Sequence, residues 1–272
     1  MPKKTATTHS TKSGKKATTS KAKVSKAAKR SSTSTKAKKA NVLTVKTAPE
    51  FNVKVILKQL ESLGDAKMRQ MHTKNGFQGT QYGVKMGDIR KIADKCKAGH
   101  DGALELWKTQ VLDAQLMAAL LLKANQLSAK ELESMVRSAT LPQLSDWLHS
   151  YVVKEHPEKE ALRIKWLQSK HPMEARAAWR LTAGRVVKSP EGLDLEGLLD
   201  RIEREMGSAL PEVQWTMNMC LAEIGIHFAK LRKRAIAIGE KLGVFRDYPT
   251  SKGCTSPFAP IWIEAIVQRN AK

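Results

Sequence analysis

From Phe51 onward, apolar side chains recur along the chain at helical spacing. Val53, Leu57, Leu60 and Leu63 advance by four, three and three residues, lining one face of a helix that Gly64 ends. A loop over 76–83 carries Phe77 and Tyr82 between its glycines, and a helix is predicted at 86–97, stopping near Gly99. About ten more helical segments follow. Leu104 and Trp107 mark one over 101–110, and 114–123 is rich in Ala, Leu and Met. Ser128 followed by Glu131 reads as a capping box, each side chain satisfying the other residue's backbone N–H. Pro142, Pro157, Pro172, Pro190 and Pro211 each stand near a predicted helix start, where the missing N–H costs nothing. Strand-like alternation is absent apart from short ambiguous stretches such as Val152 and Val153. The pattern predicts an all-α protein.

Helices of about 10–15 residues joined by short turns can pack as a globular bundle or as a solenoid. Trp107, Trp147 and Trp179 are placed near a period of 35–45 residues, although self-similarity is weak. That spacing favours stacked helical pairs of the HEAT type, whose concave face fits a nucleic-acid duplex.

Charge divides the chain in two. Of 48 Lys and Arg, 14 fall in residues 1–49, which hold no acid; residues 50–272 carry the other 34 against 26 Asp and Glu. The first segment therefore contributes +14 and the second +8. Residues 1–40 are almost entirely Lys, Ala, Ser and Thr, with Met1 and Val24 the apolar exceptions beyond alanine. Such a composition cannot bury enough surface to offset the entropy of ordering, so residues 1–49 are expected to form a disordered basic tail and linker, and 50–272 a folded domain. Lysines meeting phosphates release condensed counterions, which makes a polyanion the expected partner. The tail lacks the apolar core of a secretory signal and the Arg-rich amphipathic face of a mitochondrial leader. With no run of eighteen apolar residues and no lipid-anchoring signal, no membrane association is expected. Cys96, Cys220 and Cys254 are too few and scattered for a disulfide framework and fit a reducing, intracellular setting. CxxC and HxxxH spacings are missing, so neither a structural zinc nor any other cofactor is predicted.

Within the domain, Arg163, Lys165 and Lys170 surround Trp166, and Arg176 and Arg180 share a helical face at i, i+4 beside Trp179. Lys230, Arg232, Lys233 and Arg234 form the densest basic cluster. Like charges at i, i+4 disfavour an isolated helix, so the Arg176–Arg180 pair calls for an anionic partner or an acidic neighbour. Cys254 lies in a Gly/Ser/Pro loop with no histidine spaced to activate it, and His149, His156 and His171 read as exposed or capping side chains.

Several stretches in order resemble the AlkD-like DNA alkylation-repair family, HEAT-like alkylpurine DNA glycosylases, over about residues 53–268. They are Tyr82-Gly83-Val84 with Ile89-Arg90, Leu106-Trp107, Asp146-Trp147, and Trp166-Leu167-Gln168-Ser169 leading to Arg176-Ala177-Ala178. The stretch from Asp247-Tyr248-Pro249 through Lys252-Gly253-Cys254 to Pro260-Ile261-Trp262-Ile263 looks like a signature of one branch. The resemblance implies a groove that grips duplex DNA and excises 3- or 7-alkylated purines without flipping the base. A carboxylate and two tryptophans would stabilise the oxocarbenium-like sugar, since anions and aromatic faces both favour a nearby cation. Trp147 matches the first tryptophan and Arg176 the arginine gripping the backbone. At the carboxylate position this chain has Tyr151, and at the second tryptophan Met219, with Trp215 one turn earlier. Asp146 or Glu223 would substitute for the carboxylate in a different register. Three readings stand: a monomeric repair glycosylase on duplex DNA in a nucleoid or nucleus, a non-catalytic DNA- or damage-binding relative, and a protein-interaction scaffold.

Overall fold

The computed structural model describes residues 51–271, so the predicted tail and linker at 1–49 lie outside the described residues. Among the described residues there are thirteen α-helices and no strand. They are α1 (Val53–Ser62), α2 (Ala66–Lys74), α3 (Met86–Lys95), α4 (Gly99–Lys108), α5 (Leu112–Leu121), α6 (Ala129–Ser138) and α7 (Pro142–Tyr151). They continue as α8 (Lys159–Trp166), α9 (Pro172–Lys188), α10 (Leu195–Glu205), α11 (Pro211–His227), α12 (Ala229–Leu242) and α13 (Ala259–Asn270). The all-α helical-repeat prediction is borne out.

Local chemistry sets many of the boundaries. The Ser128 hydroxyl accepts from the Glu131 N–H, while the Glu131 carboxylate accepts from the Ser128 N–H at 2.8 Å, closing the predicted capping box on α6. Pro142, Pro172 and Pro211 occupy the first turns of α7, α9 and α11. Pro157 and Pro190 instead precede their helices and shape the turns before α8 and α10. Helix α2 escapes the periodicity argument because Met68 and Met71 are its sole large apolar residues; Asp65 caps it by accepting from the Lys67 and Met68 N–H groups.

Packing follows a central row in which α3, α5, α7, α9, α11 and α13 each touch the next, the α9–α11 contact being the most extensive. A second layer covers this row: α4 lies on α5, α6 and α8 on α9, α10 on α11, and α12 on α11 and α13. Helix α5 is therefore apolar almost all round, with eight buried residues including Asp113 and Gln115. One core cluster spans the N-terminal part from Leu60 to Leu181, and a second runs from Trp179 to Ile263.

The Tyr82-Gly83-Val84 stretch is held by a buried carboxylate. Asp113 accepts from the Tyr82, Gly83 and Val84 N–H groups at 2.6, 3.3 and 2.7 Å. Gly83 sits at φ +77°, and a Cβ there would stand 2.5 Å from the Asp65 carbonyl oxygen, so only glycine fits. This seam fixes the loop before α3 against α5.

Candidate nucleic-acid interface

Asp146, Trp147, Tyr151, Arg176, Arg180, Met219 and Glu223 all lie on helices of the central row, whereas Arg163 and Lys165 lie on α8 in the second layer and Lys170 in the turn before α9. On α7, consecutive residues face different neighbours because each step turns about 100°. Asp146 points toward α9, where its Oδ1 accepts from Arg176 Nη2 at 2.7 Å and from Arg180 Nη1. Arg176 also donates from Nη1 to the Glu212 carbonyl of α11 at 3.0 Å. This chain of contacts ties α7, α9 and α11 together. The acidic neighbour demanded by the Arg176–Arg180 spacing is thus Asp146. Arg176 is 2% exposed and its Nε has no partner, whereas Arg180 is the more open of the two.

Trp147 faces the other way, toward α3. Its ring meets Tyr151 edge-on, with centroids 5.6 Å apart. The Arg90 guanidinium of α3 lies 4.7 Å from the Trp147 centroid and donates from Nη2 to Tyr151 Oη at 3.1 Å. Both Arg90 and Tyr151 are exposed, and Trp147 is half-buried against the N-terminal core. Arg90 was no site candidate in the sequence, because 61 residues separate it from Tyr151.

On α11, Trp215, Met219, Glu223 and His227 follow one another at four-residue steps along the less buried stripe. Met219 packs against the second core. Trp215 joins Phe245 and Tyr248 at centroid distances of 5.3 and 5.8 Å, an aromatic group the sequence did not reveal. Burial pushes the Glu223 carboxyl above its ordinary range, although His227 lies 3.3 Å away. Neither Asp146, bound by two guanidiniums, nor Glu223, on another helix and paired with histidine, stands as a free carboxylate beside Trp147.

The basic cluster divides by role. Arg232 donates to the Gly225 and Ile226 carbonyls at 2.9 and 3.0 Å, satisfying the C-terminal end of α11, and Arg234 pairs with Asp200 of α10. Lys230 and Lys233 remain exposed. These four lie on α12, against α10, α11 and α13, whereas Arg176 and Arg180 lie on α9. The structure therefore does not gather the sequence candidates into one patch.

The remaining candidates are mostly structural. His171 caps α9, its Nδ1 accepting from the Met173 N–H at 3.3 Å. His156 is buried rather than exposed, and its Nε2 lies 3.0 Å from the Leu127 carbonyl oxygen. Cys254 is exposed, while burial pushes the Cys220 thiol far up. Among the described residues no group of three or more His, Cys, Asp or Glu is placed to hold a metal ion, and no helix is long and apolar enough to cross a membrane.

Comparison with known proteins accords with this architecture. No match was found among the curated proteins. One solved structure is similar with a TM-score of 0.67 and 21% identity, covering 81% of this chain and 95% of its own. It is described as representing a new family of proteins related to the HEAT-like repeat DNA glycosylases, with affinity for branched DNA structures. The family model for DNA alkylation repair enzymes matches residues 56–261, which takes in every helix from α2 to α12. The chain belongs to the DNA alkylation repair enzyme family.

Proposed function

We propose that this protein binds DNA, branched or damaged, and does not hydrolyse the glycosidic bond by carboxylate assistance. The observation that carries this reading is Arg90, whose guanidinium covers the Trp147 ring and holds the Tyr151 hydroxyl. An oxocarbenium-like sugar needs negative charge beside it. Here the position expected to supply a carboxylate supplies a neutral phenol, and a fixed cation stands with it. That charge raises the energy of a developing sugar cation, while it favours a phosphodiester. Arg90, Trp147 and Tyr151 then form a contact for the DNA backbone or an exposed base, with Arg180, Lys230 and Lys233 as further phosphate contacts. The affinity for branched DNA given for the structural neighbour supports the choice of ligand. Residues 1–49 act as a separate polyanion-binding segment that raises residence on DNA in a nucleoid or nucleus.

The test is a single-turnover incubation with duplex containing 7-methylguanine at protein excess, beside binding titrations on a four-way junction and a linear duplex. We expect base release at the spontaneous rate and tighter binding of the junction. Release above that rate, reduced by Trp147→Ala, would overturn the reading in favour of a glycosylase. Deleting residues 1–49 should leave DNA binding with a shallower salt slope; complete loss would leave the helical domain as a protein-interaction scaffold.

A further inference from the structure

Between the C-terminal end of α7, the start of α8 and the second half of α9 lies a cavity of about 510 Å³. Its lining contains six basic side chains, Lys154, Lys159, Arg163, Arg180, Arg185 and Lys188, against two carboxylates, Glu155 and Glu160. The basic groups occupy two levels. Lys154, Lys159 and Lys188 are exposed, while Arg163 is buried and Arg180 and Arg185 are half-buried.

The carboxylates do not neutralise this lining. Glu160 alone accepts from both Arg163, at 2.9 and 2.7 Å, and Arg185, and those guanidiniums hold its carboxyl below the usual range. Arg180 shares the single Asp146 carboxylate with Arg176. Burial pulls Arg180 below its ordinary value, despite Asp146 beside it. His149, also in the lining, is neutral: burial and the neighbouring cations bring its pKa down to about 3, and its sealed Nδ1 has no partner. Partly desolvated guanidiniums that outnumber their carboxylates are stabilised by an added anion.

The size of the cavity narrows the choice of anion. A B-form duplex, about 20 Å across, is far too wide to enter 510 Å³, but a phosphate group or one nucleotide is not. A terminal phosphate carries about two negative charges near neutral pH, against one for an internal phosphodiester, and so answers the excess better. We propose that this cavity receives the terminal phosphate of a DNA strand that leaves the duplex, with Arg163, Arg180 and Arg185 as its floor and Lys154, Lys159 and Lys188 as its rim. The proposal rests on the DNA-binding reading above and adds to it a preference for strand ends.

The full chain is titrated against three labelled DNAs at one salt concentration: a flap whose single-stranded arm ends in a 5′-phosphate, the same flap ending in hydroxyl, and a duplex without the arm. A pair with 3′-phosphate and 3′-hydroxyl arms sets the polarity. The two flaps differ only in the terminal phosphate, so contacts to the rest of the DNA cancel from their comparison, and attraction of the basic tail to that phosphate would survive the double variant below. We expect the phosphorylated arm of one polarity to bind about tenfold tighter than its hydroxyl counterpart. The exposed double variant Lys159→Gln/Lys188→Gln should erase that ratio while changing duplex affinity less than about twofold, with melting temperature confirming that the variant is folded. Equal affinity for both arms at both ends, or a preference that survives the double variant, would overturn the proposal. Equal affinity together with a melting temperature raised by inorganic phosphate alone would also overturn it, in favour of a small-anion site. Failure to bind any of the DNAs would overturn the DNA-binding reading and this proposal with it.

Discussion

Replacing Asp146 with alanine separates a structural carboxylate from a catalytic one. In the wild type its Oδ1 accepts from Arg176 Nη2 at 2.7 Å and from Arg180 Nη1. The Arg176 side chain is 3% exposed and that of Asp146 37% exposed, so the acid is the solvent-side partner of a buried cation. Removing one partner of a buried pair costs about 3–5 kcal/mol, because the other charge is left in low dielectric. Two features reduce the figure here. The Glu212 carbonyl still accepts from Arg176 at 3.0 Å, and water reaches the exposed edge of the vacated position. The cost is then about 2 kcal/mol. In a domain of this size about 1 kcal/mol moves the melting temperature by roughly 2–4 °C, so Asp146→Ala should melt about 4–8 °C lower.

Circular dichroism melts measure this directly. The loss should persist in high salt, since a buried pair is screened little. Arg176→Met should reduce it: with no buried cation to compensate, the double variant should be more stable than the sum of the single losses by about 1 kcal/mol or more. A melting temperature for Asp146→Ala within about 1 °C of wild type would refute the reasoning. Wild-type base release above the spontaneous rate that Asp146→Ala abolished would instead make Asp146 a catalytic carboxylate.

Three other outcomes follow from named contacts. Gly83→Ala places a Cβ 2.5 Å from the Asp65 carbonyl oxygen at φ +77°, and should cost more than about 1 kcal/mol in urea titrations; a neutral effect would mean the loop before α3 shifts freely. His149, with a folded pKa near 3 against an ordinary 6.5, binds its proton more readily in the unfolded chain, so its contribution is present above about pH 6.5 and is lost progressively as pH falls toward 3. His149→Phe should flatten the stability profile between pH 4 and 6.5, and an unchanged slope would contradict the assignment. Tyr151→Asp alone should leave 7-methylguanine release at the spontaneous rate, because the new carboxylate meets Arg90; release by this single variant would show that Arg90 does not neutralise it.

Much of the fold was legible because its signals are local. The capping box on α6 and the prolines opening α7, α9 and α11 act within one turn, and Val53, Leu57 and Leu60 of the predicted α1 stripe lie on the helix, whereas Leu63 falls at its C-cap and is exposed. Helix α2 was not, since a polar helix leaves no stripe to read. The site was legible one helix at a time. Trp147, Tyr151, Arg176, Arg180 and Met219 could each be placed on a helix, but their neighbours could not. Asp146 was read as an alternative carboxylate, and its engagement by two arginines 30 and 34 residues away is a tertiary fact. Arg232 belongs to the densest basic cluster of the sequence, read as DNA-binding, and proves to cap the carbonyl end of α11.

The departure at position 151 takes its meaning from position 90. A phenol where the family resemblance expects a carboxylate, taken alone, is the loss of one charge. Together with Arg90 it is a change of sign, because the cation that would have neutralised a carboxylate now meets no opposing charge at residue 151. The geometry of α7 sharpens the contrast. Asp146 and Trp147 are adjacent in sequence but face α9 and α3, so the acid already present on the helix cannot turn to the tryptophan without releasing Arg176 and the α7–α9–α11 tie. Stability therefore holds the carboxylate on one side of α7 and leaves the aromatic side to a cation, which is the geometric ground for the proposed role of holding phosphate rather than breaking a glycosidic bond.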